Sequence, residues 1–412
     1  MTVTTTPPAV HEALHSSGDL SGPVAAVARL FDLAGIDCEI TQPGGVRARI
    51  GRGEPQFRVV CHTRDAFARG LDERSIAEAY LDGEFDLEGD MLRAFDVRTQ
   101  LADKVPVSQF LRVWLGHFLR RRTRVNREAI DFHYSLGDDF YLAFLDSAYR
   151  IYTHAIYRHD NEPLEVAAER KMEQAFRSLN LRPGMRVLNV GAGWGPTEQY
   201  FGSRGVHVTG LTIGEDSRQF VQRLIERERL TAEVKLEDFL VHRPERPYDA
   251  LVILGVIEHI PDYRRFARQA WEVLKPGALI YLDASASIEK YSVSSFAREH
   301  VWAATHTYMV LQDLIRELLY HGIDVLEVAN ETRDYGLTCT AWAQRFDAAR
   351  DHIVRGWGER VWRTWRLYLW GGAHAFLRNE LQAYHMVARR SDRPGPRPGS
   401  WRRFINAVKS VV

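Results

Sequence analysis

The clearest pattern in the chain is an alternation of short apolar runs with amphipathic stretches between residues 165 and 345. The apolar runs have the length of buried strands, and the stretches between them carry apolar residues at helical spacing. The strand segments are 185–190, 206–212, 233–236, 249–254 and 278–283, and the helical segments are 165–179, 215–228 and 262–274. Alternation of this kind predicts an α/β fold, a Rossmann-like parallel sheet with helices on both faces.

The same pattern divides the rest of the chain into smaller regions. Residues 1–20 are polar and predict a flexible arm, whereas residues 21–104 predict a small α+β domain. Helical spacing covers 25–34, and strand alternation covers 47–50 and 57–60. A catalytic domain over 129–390 follows, and its last part, 346–390, is rich in aromatic residues and is predicted to be helical.

Two segments combine apolar or aromatic residues with basic ones. A linker at 105–128 carries such residues ahead of the arginines at 120–127. It fits either a linker helix with a solvated basic end or a patch that meets an anionic membrane. The tail at 391–412 is predicted to be flexible, with a short amphipathic helix over 401–412. That helix either packs on the protein's own core or docks on a bilayer.

Composition narrows the classes of function. Lysine plus arginine equals aspartate plus glutamate at 54 each, so no basic excess indicates a nucleic-acid partner. No run of about 18 apolar residues predicts a membrane-spanning helix, and the N-terminal sequence does not resemble a secretory signal. The three cysteines have neither disulfide nor metal-ligand spacing, so we expect no metal site and a cytoplasmic protein.

A glycine-rich turn after the first strand of the sheet is the strongest chemical signal. Gly191, Gly193 and Gly195 stand in the sequence VLNVGAGWG, directly after an apolar strand. Glycines at this place allow a tight turn and let a ligand approach the backbone, although such a turn also occurs for structural reasons alone. The third glycine comes too early for the fingerprint of a dinucleotide-binding site.

The segments after the next two strands sharpen the choice of cofactor. Thr212 ends the second strand, and Asp238 and Phe239 close the third strand region. Asp238 is placed either to accept a hydrogen bond from an adenine amine or to cap a helix, and Phe239 is placed to stack on the adenine. Together with the early third glycine, this layout favours S-adenosylmethionine (SAM) over a dinucleotide.

Five stretches carry more specific motifs. They are HYSLGDDFYLAFLD (133–146), LNLRPGMRVLNVGAGWG (179–195), VHVTGLTIGEDS (206–217), LGVIEHI (254–260) and DYGLTCTAWAQRF (334–346). Together they resemble the cyclopropane fatty acid synthase family, in its longer, two-domain form. The resemblance implies a SAM-dependent C-methyltransferase that acts on an alkene in a lipid acyl chain and forms a cyclopropane or another methyl-derived product. It also implies that Tyr152 and Thr153 contact SAM.

The resemblance further implies a catalytic site. In the family, bicarbonate held by Cys, Glu, His and Tyr side chains removes the proton that allows the ring to close. Glu258 and Tyr335 match the family's Glu and Tyr, but His154 stands at the Cys position and Asp283 at the His position. Bicarbonate is harder to hold without the Cys and the His. Either the site has decayed, or His154 has become the base with Asp283 orienting it, as carboxylates orient catalytic histidines.

Other functions fit the same residues. One is C-methylation or cyclopropanation of an unsaturated polyketide or isoprenoid, and another is a non-catalytic subunit that binds SAM or a lipid. Retention of Glu258 and Tyr335 argues against the non-catalytic subunit. An acyl-lipid substrate favours peripheral contact with the inner membrane surface, and the longer family members suggest a homodimer by analogy.

Overall fold

The computed structural model divides the chain into two compact units, residues 1–106 and 107–412. The described residues are 20–33, 35–70, 73–96, 136–290, 292, 294–302, 307–399, 401–403 and 405. The basic linker at 105–128 lies outside them, as do the predicted arm apart from its last residue and the end of the tail at 406–412. Within the described part of the chain, no helix is both long enough and apolar enough to cross a membrane.

The described residues of the N-terminal unit form a four-stranded sheet accompanied by three helices. Its elements are α1 (Gly22–Leu33), β1 (Cys38–Gln42), β2 (Val46–Ile50), β3 (Phe57–Cys61), α2 (Glu73–Leu81), β4 (Phe85–Gly89) and α3 (Met91–Phe95). The strand order is β2-β1-β3-β4, with β1 and β3 parallel and the other neighbours antiparallel. Alternate strand residues such as Ile40 and Val59 are buried, as the period of a half-covered sheet requires. The predicted α+β character of this unit is confirmed.

In its described residues, the larger unit is built on a seven-stranded sheet. Its first elements are α4 (Asp138–Leu142), α5 (Leu164–Ser178), β5 (Arg186–Val190), α6 (Pro196–Gly202), β6 (His207–Thr212), α7 (Glu215–Glu228), β7 (Ala232–Leu236), β8 (Tyr248–Leu254), α8 (Tyr263–Val273) and β9 (Leu274–Ala286). The remaining elements are α9 (Ser295–His300), α10 (Leu311–Tyr320), β10 (Ile323–Asn330), α11 (Thr332–Ala348), α12 (Arg350–Trp357), α13 (Glu359–Leu377) and β11 (Gln382–Arg390). The strand order is β10-β11-β9-β8-β5-β6-β7.

The strands from β5 to β9 run parallel, so the predicted Rossmann-like sheet is confirmed. The central strands β5 and β8 have the sequences RVLNV and YDALVIL, and most of their residues are buried. Nearly continuous apolar runs are typical of parallel strands that are covered on both faces. This is why the sequence alone locates them closely.

The C-terminal part of the larger unit differs from the prediction. The sequence predicts helix throughout 346–390, but the last helix ends at Leu377 and β11 follows from Gln382 to Arg390. β11 lies between β9 and β10 and pairs antiparallel with both. Periodicity does not separate a short buried strand from a buried helical segment. Here the pairing with two neighbouring strands decides the conformation.

The first half of the tail, residues 391–399, runs against the turn between α10 and β10. The backbone amide of Arg397 donates to the carbonyl of Tyr320 at 2.9 Å, and the hydroxyl of Ser391 donates to the carbonyl of Gly322 at 2.7 Å. This part of the tail therefore has fixed backbone partners where the sequence predicts flexibility.

Candidate active site

A cavity of about 760 Å³ opens at the carboxyl ends of the parallel strands. It lies where the strand order reverses, between β5 and its two neighbours β6 and β8. Ligands of open α/β sheets bind at such a point. The loops after β5, β6, β7 and β8 line the cavity together with residues 150–153. Its volume lies in the range of small-molecule sites.

The glycine loop, residues 191–195, follows β5 and forms one side of the cavity. Gly193 lines the cavity with φ +53°, and a Cβ atom built on it meets no atom within 4 Å. Gly191 also lines the cavity, and a Cβ atom there would stand 2.4 Å from Cγ2 of Val256. Only glycine combines these left-handed conformations with a bare backbone surface, which is what a close-fitting ligand requires.

Gly195 has a packing role at the end of the loop. At φ +77° it caps the start of α6. A Cβ atom on Gly195 would stand 2.7 Å from Cδ2 of Leu224 in α7, so the glycine allows the close approach of α7 to the loop. Gly195 is not among the residues that line the cavity, and its contact with the cofactor stays a prediction.

The other residues predicted to contact the cofactor all line this cavity: Tyr152, Thr153, Thr212, Asp238 and Phe239. Asp238 also accepts a hydrogen bond from the backbone amide of Leu240 at 2.8 Å. It thereby caps the 3-10 turn Phe239–Val241, which is the alternative role that the sequence offers. Phe239 packs on Phe266 with ring centroids 5.6 Å apart. Contact of these side chains with the cofactor stays a prediction.

Behind the wall formed by Thr153 and Gly255 lies a group of buried ionisable side chains. Asp283 accepts hydrogen bonds from the hydroxyl of Thr153 at 3.1 Å and from the backbone amide of Gly255 at 2.9 Å. Its carboxylate also forms an ion pair with the ammonium group of Lys171, and both side chains are fully buried. Lys171 donates to the carbonyl of His154 at 2.6 Å and so anchors the segment that carries the wall.

His154 pairs with Glu331 and not with Asp283, the partner that the sequence predicts. Its Nε2 lies 2.5 Å from Oε2 of Glu331, while Oε1 of Glu331 lies 2.6 Å from Nδ1 of His385. Asp283 does not orient His154 because its oxygens are engaged by Lys171 and by the wall. Nδ1 of His154 is buried and has no hydrogen-bond partner among the described residues. Lys171, Asp283, His154, Glu331 and His385 together form the buried polar cluster.

Glu331 is charged although it is buried. Burial opposes the charged form, but attraction to His154 and hydrogen bonds with both histidines hold the pKa of Glu331 well below its usual range. Burial likewise opposes the charged form of His385, yet the hydrogen bond and charge of Glu331 raise the pKa of His385. The carboxylate between two imidazoles is therefore an anionic centre of the cluster.

Glu258 lies in the 3-10 turn Ile257–His259, between two residues that line the cavity. One carboxylate oxygen accepts hydrogen bonds from the backbone amide and the hydroxyl of Ser285, both at 2.8 Å. The other oxygen is buried and has no hydrogen-bond partner in the described part of the chain. Burial raises the pKa of Glu258 to about 7, so this carboxyl group titrates near neutrality, as many catalytic groups do.

Tyr335 joins these groups from α11. Its ring centroid lies 5.1 Å from that of His154, and it stacks on Phe376 at 4.2 Å. Burial, followed by the nearby Cys339 and Glu258, raises the pKa of Tyr335 well above its usual range. Tyr335 is therefore neutral. The structure brings all four residues predicted to be catalytic into one region: Glu258, Tyr335, His154 and Asp283.

Known proteins share this fold and much of this sequence. The family model of mycolic acid cyclopropane synthetase matches residues 121–386. The chain belongs to this family. It is 30% identical over 67% of its length to a probable fatty acid methyltransferase of Mycobacterium tuberculosis and spans 66% of that protein. It is 28% identical over 89% of its length to a cyclopropane-fatty-acyl-phospholipid synthase of Escherichia coli, of which it covers 94%.

A solved structure supports the fold. The cyclopropane synthase MmaA2 of Mycobacterium tuberculosis superposes with a TM-score of 0.60 at 22% identity, covering 64% of this chain and 98% of that chain. As a member of this family, the protein is a SAM-dependent methyltransferase. The predicted class of enzyme and the predicted cofactor are confirmed. The open cradle at Gly193 fits SAM, because a ligand can reach the backbone there.

Three members of the buried polar cluster are not predicted from the sequence: Lys171, Glu331 and His385. Lys171 carries a signal that could have located it, because it lies on the buried stripe of α5 among apolar residues. A lysine on such a stripe is rarely buried unless it has a partner. Glu331 and His385 carry no comparable signal, since they are 54 positions apart and meet only because β11 pairs with its neighbours.

Proposed function

We propose that this enzyme transfers a methyl group from SAM to an alkene carbon of a lipid acyl chain, and that His154 removes the proton that closes a cyclopropane ring. One observation carries the proposal. Thr153 lines the glycine-lined cavity, and the next residue in the chain is His154, a buried histidine whose Nδ1 has no partner among the described residues. The relatives named as cyclopropane-fatty-acyl-phospholipid synthase and fatty acid methyltransferase support the acyl-lipid substrate.

Two described side chains have separate roles in this reaction, one in stabilising the cation and one in removing the proton. SAM would supply an electrophilic methyl group when it is bound and would leave as S-adenosylhomocysteine, with the electron pair of the broken S–CH3 bond on sulfur. The electron pair of the alkene forms the new carbon–carbon bond to that methyl group. The substrate then carries a positive charge on the neighbouring carbon. Glu258 stabilises that charge electrostatically, since its carboxyl group is buried and one of its oxygens lacks a partner among the described residues. Nδ1 of His154 takes a proton from the new methyl group, and the electrons of that C–H bond close the ring.

The residues at the predicted bicarbonate site favour a reaction without that anion. Asp283, at the position of the family's His, brings a carboxylate whose oxygens are engaged by Lys171, Thr153 and Gly255. The anionic Glu331 lies on the other side of His154. A bound anion would face these carboxylates in a region where charges are poorly screened, so the residues present do not fit bicarbonate.

The substrate and product are tested with SAM that carries a fully deuterated methyl group. The enzyme is incubated with vesicles of unsaturated phospholipid, with saturated phospholipid as the control. The released acyl chains should retain two of the three deuteriums, because the base removes one, and NMR separates a cyclopropane from a methylene branch. Retention of all three deuteriums would contradict ring closure. Absence of label in the unsaturated chains would contradict the lipid substrate.

The role of His154 is tested in the same assay. His154→Ala should lower ring formation by about 100-fold or more, in the range of a lost general base. Added bicarbonate should leave the wild-type rate unchanged. Strict dependence of the wild type on bicarbonate would refute His154 as the base while leaving methyl transfer itself intact.

Two further expectations stay predictions. An acyl-lipid substrate favours peripheral contact with the inner membrane surface, and the longer family members suggest a homodimer. The membrane contact depends on the basic linker at 105–128 and on the tail helix at 401–412. The linker, residue 404 and residues 406–412 lie outside the described residues.

A further inference from the structure

We infer that Glu331 is the positioning residue that prepares His154 as a base, in a histidine–carboxylate–histidine arrangement completed by His385. The inference rests on the proposed function, because it assigns the group that orients the proposed base. Glu331 is buried and is not among the residues that line the cavity, so it acts through His154.

The contact between Glu331 and His154 selects one tautomer of the imidazole. An ionised carboxylate only accepts hydrogen bonds, so the nitrogen of His154 that faces it, Nε2, must carry a proton. A neutral imidazole has one protonated nitrogen, which leaves the basic lone pair on Nδ1. Nδ1 is the buried atom without a hydrogen-bond partner in the described part of the chain. Glu331 thereby leaves the free nitrogen ready to accept a proton.

Glu331 is itself held from the opposite side. Its Oε1 accepts hydrogen bonds from Nδ1 of His385 at 2.6 Å and from Nε2 of Gln174 at 3.2 Å. Its backbone amide donates to the carbonyl of Ala383 in β11 at 2.8 Å. Because each carboxylate oxygen has its own donor, Oε2 stays directed at His154.

Charge gives Glu331 a second effect on the base. When His154 takes the proton of the new methyl group it becomes an imidazolium, and the adjacent carboxylate stabilises that cation. The ionisable groups around His154 are Lys171 of α5, Asp283 of β9, Glu331, the Asp334 and Tyr335 of α11, and His385 of β11. Among these described groups, Glu331 is the anion that contacts the ring directly.

The tautomer of His154 is the first test, and it needs no substrate. NMR of the full chain with isotope-labelled histidine distinguishes a protonated from an unprotonated ring nitrogen, and His154→Ala assigns the signals. We expect Nε2 protonated and Nδ1 unprotonated in the wild type, with this preference weakened in Glu331→Gln. A proton on Nδ1 in the neutral wild-type ring would overturn the inference, whatever the activity of the enzyme.

Turnover of the Glu331 variants is the second test. Glu331→Gln keeps the side-chain shape but removes the charge, so kcat should fall by about 100-fold or more with little change in the KM for SAM. Glu331→Asp should restore part of kcat. A kcat of Glu331→Gln within a few-fold of the wild-type value would leave only a structural role and would overturn the inference.

Glu198 offers a matched control. It is a buried glutamate in α6 whose Oε1 accepts from Nδ2 of Asn189 at 2.8 Å, and it does not contact the buried polar cluster through any described hydrogen bond. Glu198→Gln should leave kcat within a few-fold of the wild-type value, and a loss of kcat equal to that of Glu331→Gln would overturn the assignment. Failure of the proposed function and failure of the inference about Glu331 give different results. Undiminished ring formation in His154→Ala would refute the proposed base, whereas the tautomer measurement tests Glu331 separately.

Discussion

The glycine loop takes its shape from five consecutive residues, whereas the buried polar cluster behind the wall draws its side chains from five separate segments of the chain. The loop presents backbone to the cavity and depends on residues that lack a side chain. The cluster consists of charged and polar side chains that hold one another, such as Lys171 with Asp283 and His154 with Glu331.

The difference predicts how each region responds to substitution. A loop that presents backbone atoms loses its conformation or its ligand when a side chain is added, because the new atoms occupy space or force an unfavourable conformation. A network of buried charges fails when one member is removed, because its partner is left uncompensated. Three substitutions, each with a matched control, test this contrast.

Lys171→Met should have the largest effect on stability. It leaves the carboxylate of Asp283 buried without its cation, which should lower the free energy of unfolding by about 3–5 kcal/mol in urea denaturation. Lys275 is the control, since it pairs with Asp249 at 2.5 Å on the surface. Lys275→Met should cost less than about 1 kcal/mol. Equal losses in the two variants would mean that burial adds nothing to the cost of breaking the Lys171 pair.

Removing the charge of Asp283 as well should recover part of the free energy of unfolding that Lys171→Met loses. In Lys171→Met/Asp283→Asn, the amide oxygen can still accept from Thr153 and Gly255, but no charge is left unpaired. The double variant should therefore be more stable than Lys171→Met alone. A double variant that is less stable would show that the loss comes from packing of the lysine stem and not from the uncompensated carboxylate.

Two buried glutamates, one near each region, allow the effect of a substitution on turnover to be compared between the two regions. Glu258 lies near the buried polar cluster and Glu198 follows the glycine loop, and burial raises the pKa of each to about 7. Glu258→Gln should lower turnover by about 100-fold, in the range of one lost electrostatic group at a reacting centre. Glu198→Gln should have a much smaller effect on turnover. Similar losses in both variants, with the fold intact, would make the role of Glu258 structural.

The same pair gives a pH dependence of stability. Because each pKa is raised in the folded protein, each carboxyl group contributes stability that is present below its usual pKa and is lost as pH rises through about 7. Each loss is roughly 3 kcal/mol. Either glutamine variant should therefore lose less stability than the wild type between mildly acidic and mildly alkaline pH. Parallel pH profiles for wild type and variants would contradict the raised values.

Gly193→Ala should have the smallest effect on the fold and a selective effect on the cofactor. A methyl group at φ +53° costs about 1–2 kcal/mol of stability. It also enters the cavity and should weaken SAM binding at least about tenfold, or 1.4 kcal/mol. Gly184 is the control, because it has φ +86°, open space around it and no place in the cavity. Gly184→Ala should cost similar stability, and calorimetry should show unchanged SAM affinity; weakening by both would contradict the assignment.

The sequence predicts the parts of the molecule that depend on neighbouring residues. The parallel strands were predictable because their apolar runs are continuous, and the turn that carries Gly191 and Gly193 follows directly from one of them. Gly195 shows the limit of that reasoning. Its spacing in the motif does not reveal that Leu224 of α7 lies against it.

The pairings inside the cluster depend on side chains that are distant in the chain. Asp283 is a reasonable partner for His154 until the ammonium group of Lys171 is seen to engage it. Glu331 is 177 positions from His154 and meets it only in the folded unit. His385 lies in β11, which has the aromatic and apolar character of the preceding helices and becomes a strand through its two neighbours. No local pattern encodes these three contacts.

The position of β11 has a consequence for the newly made polypeptide. β11 is the last strand of the sheet in chain order, yet it lies between β9 and β10. During translation, the two flanking strands leave the ribosome before the strand that joins them, so both have unpaired edges that invite association with other chains. His385 arrives with β11, so the support of Glu331 is completed by the same event that closes the sheet. A partly synthesised chain therefore has two unpaired strand edges, and its Glu331 lacks the hydrogen bond that His385 donates in the folded unit.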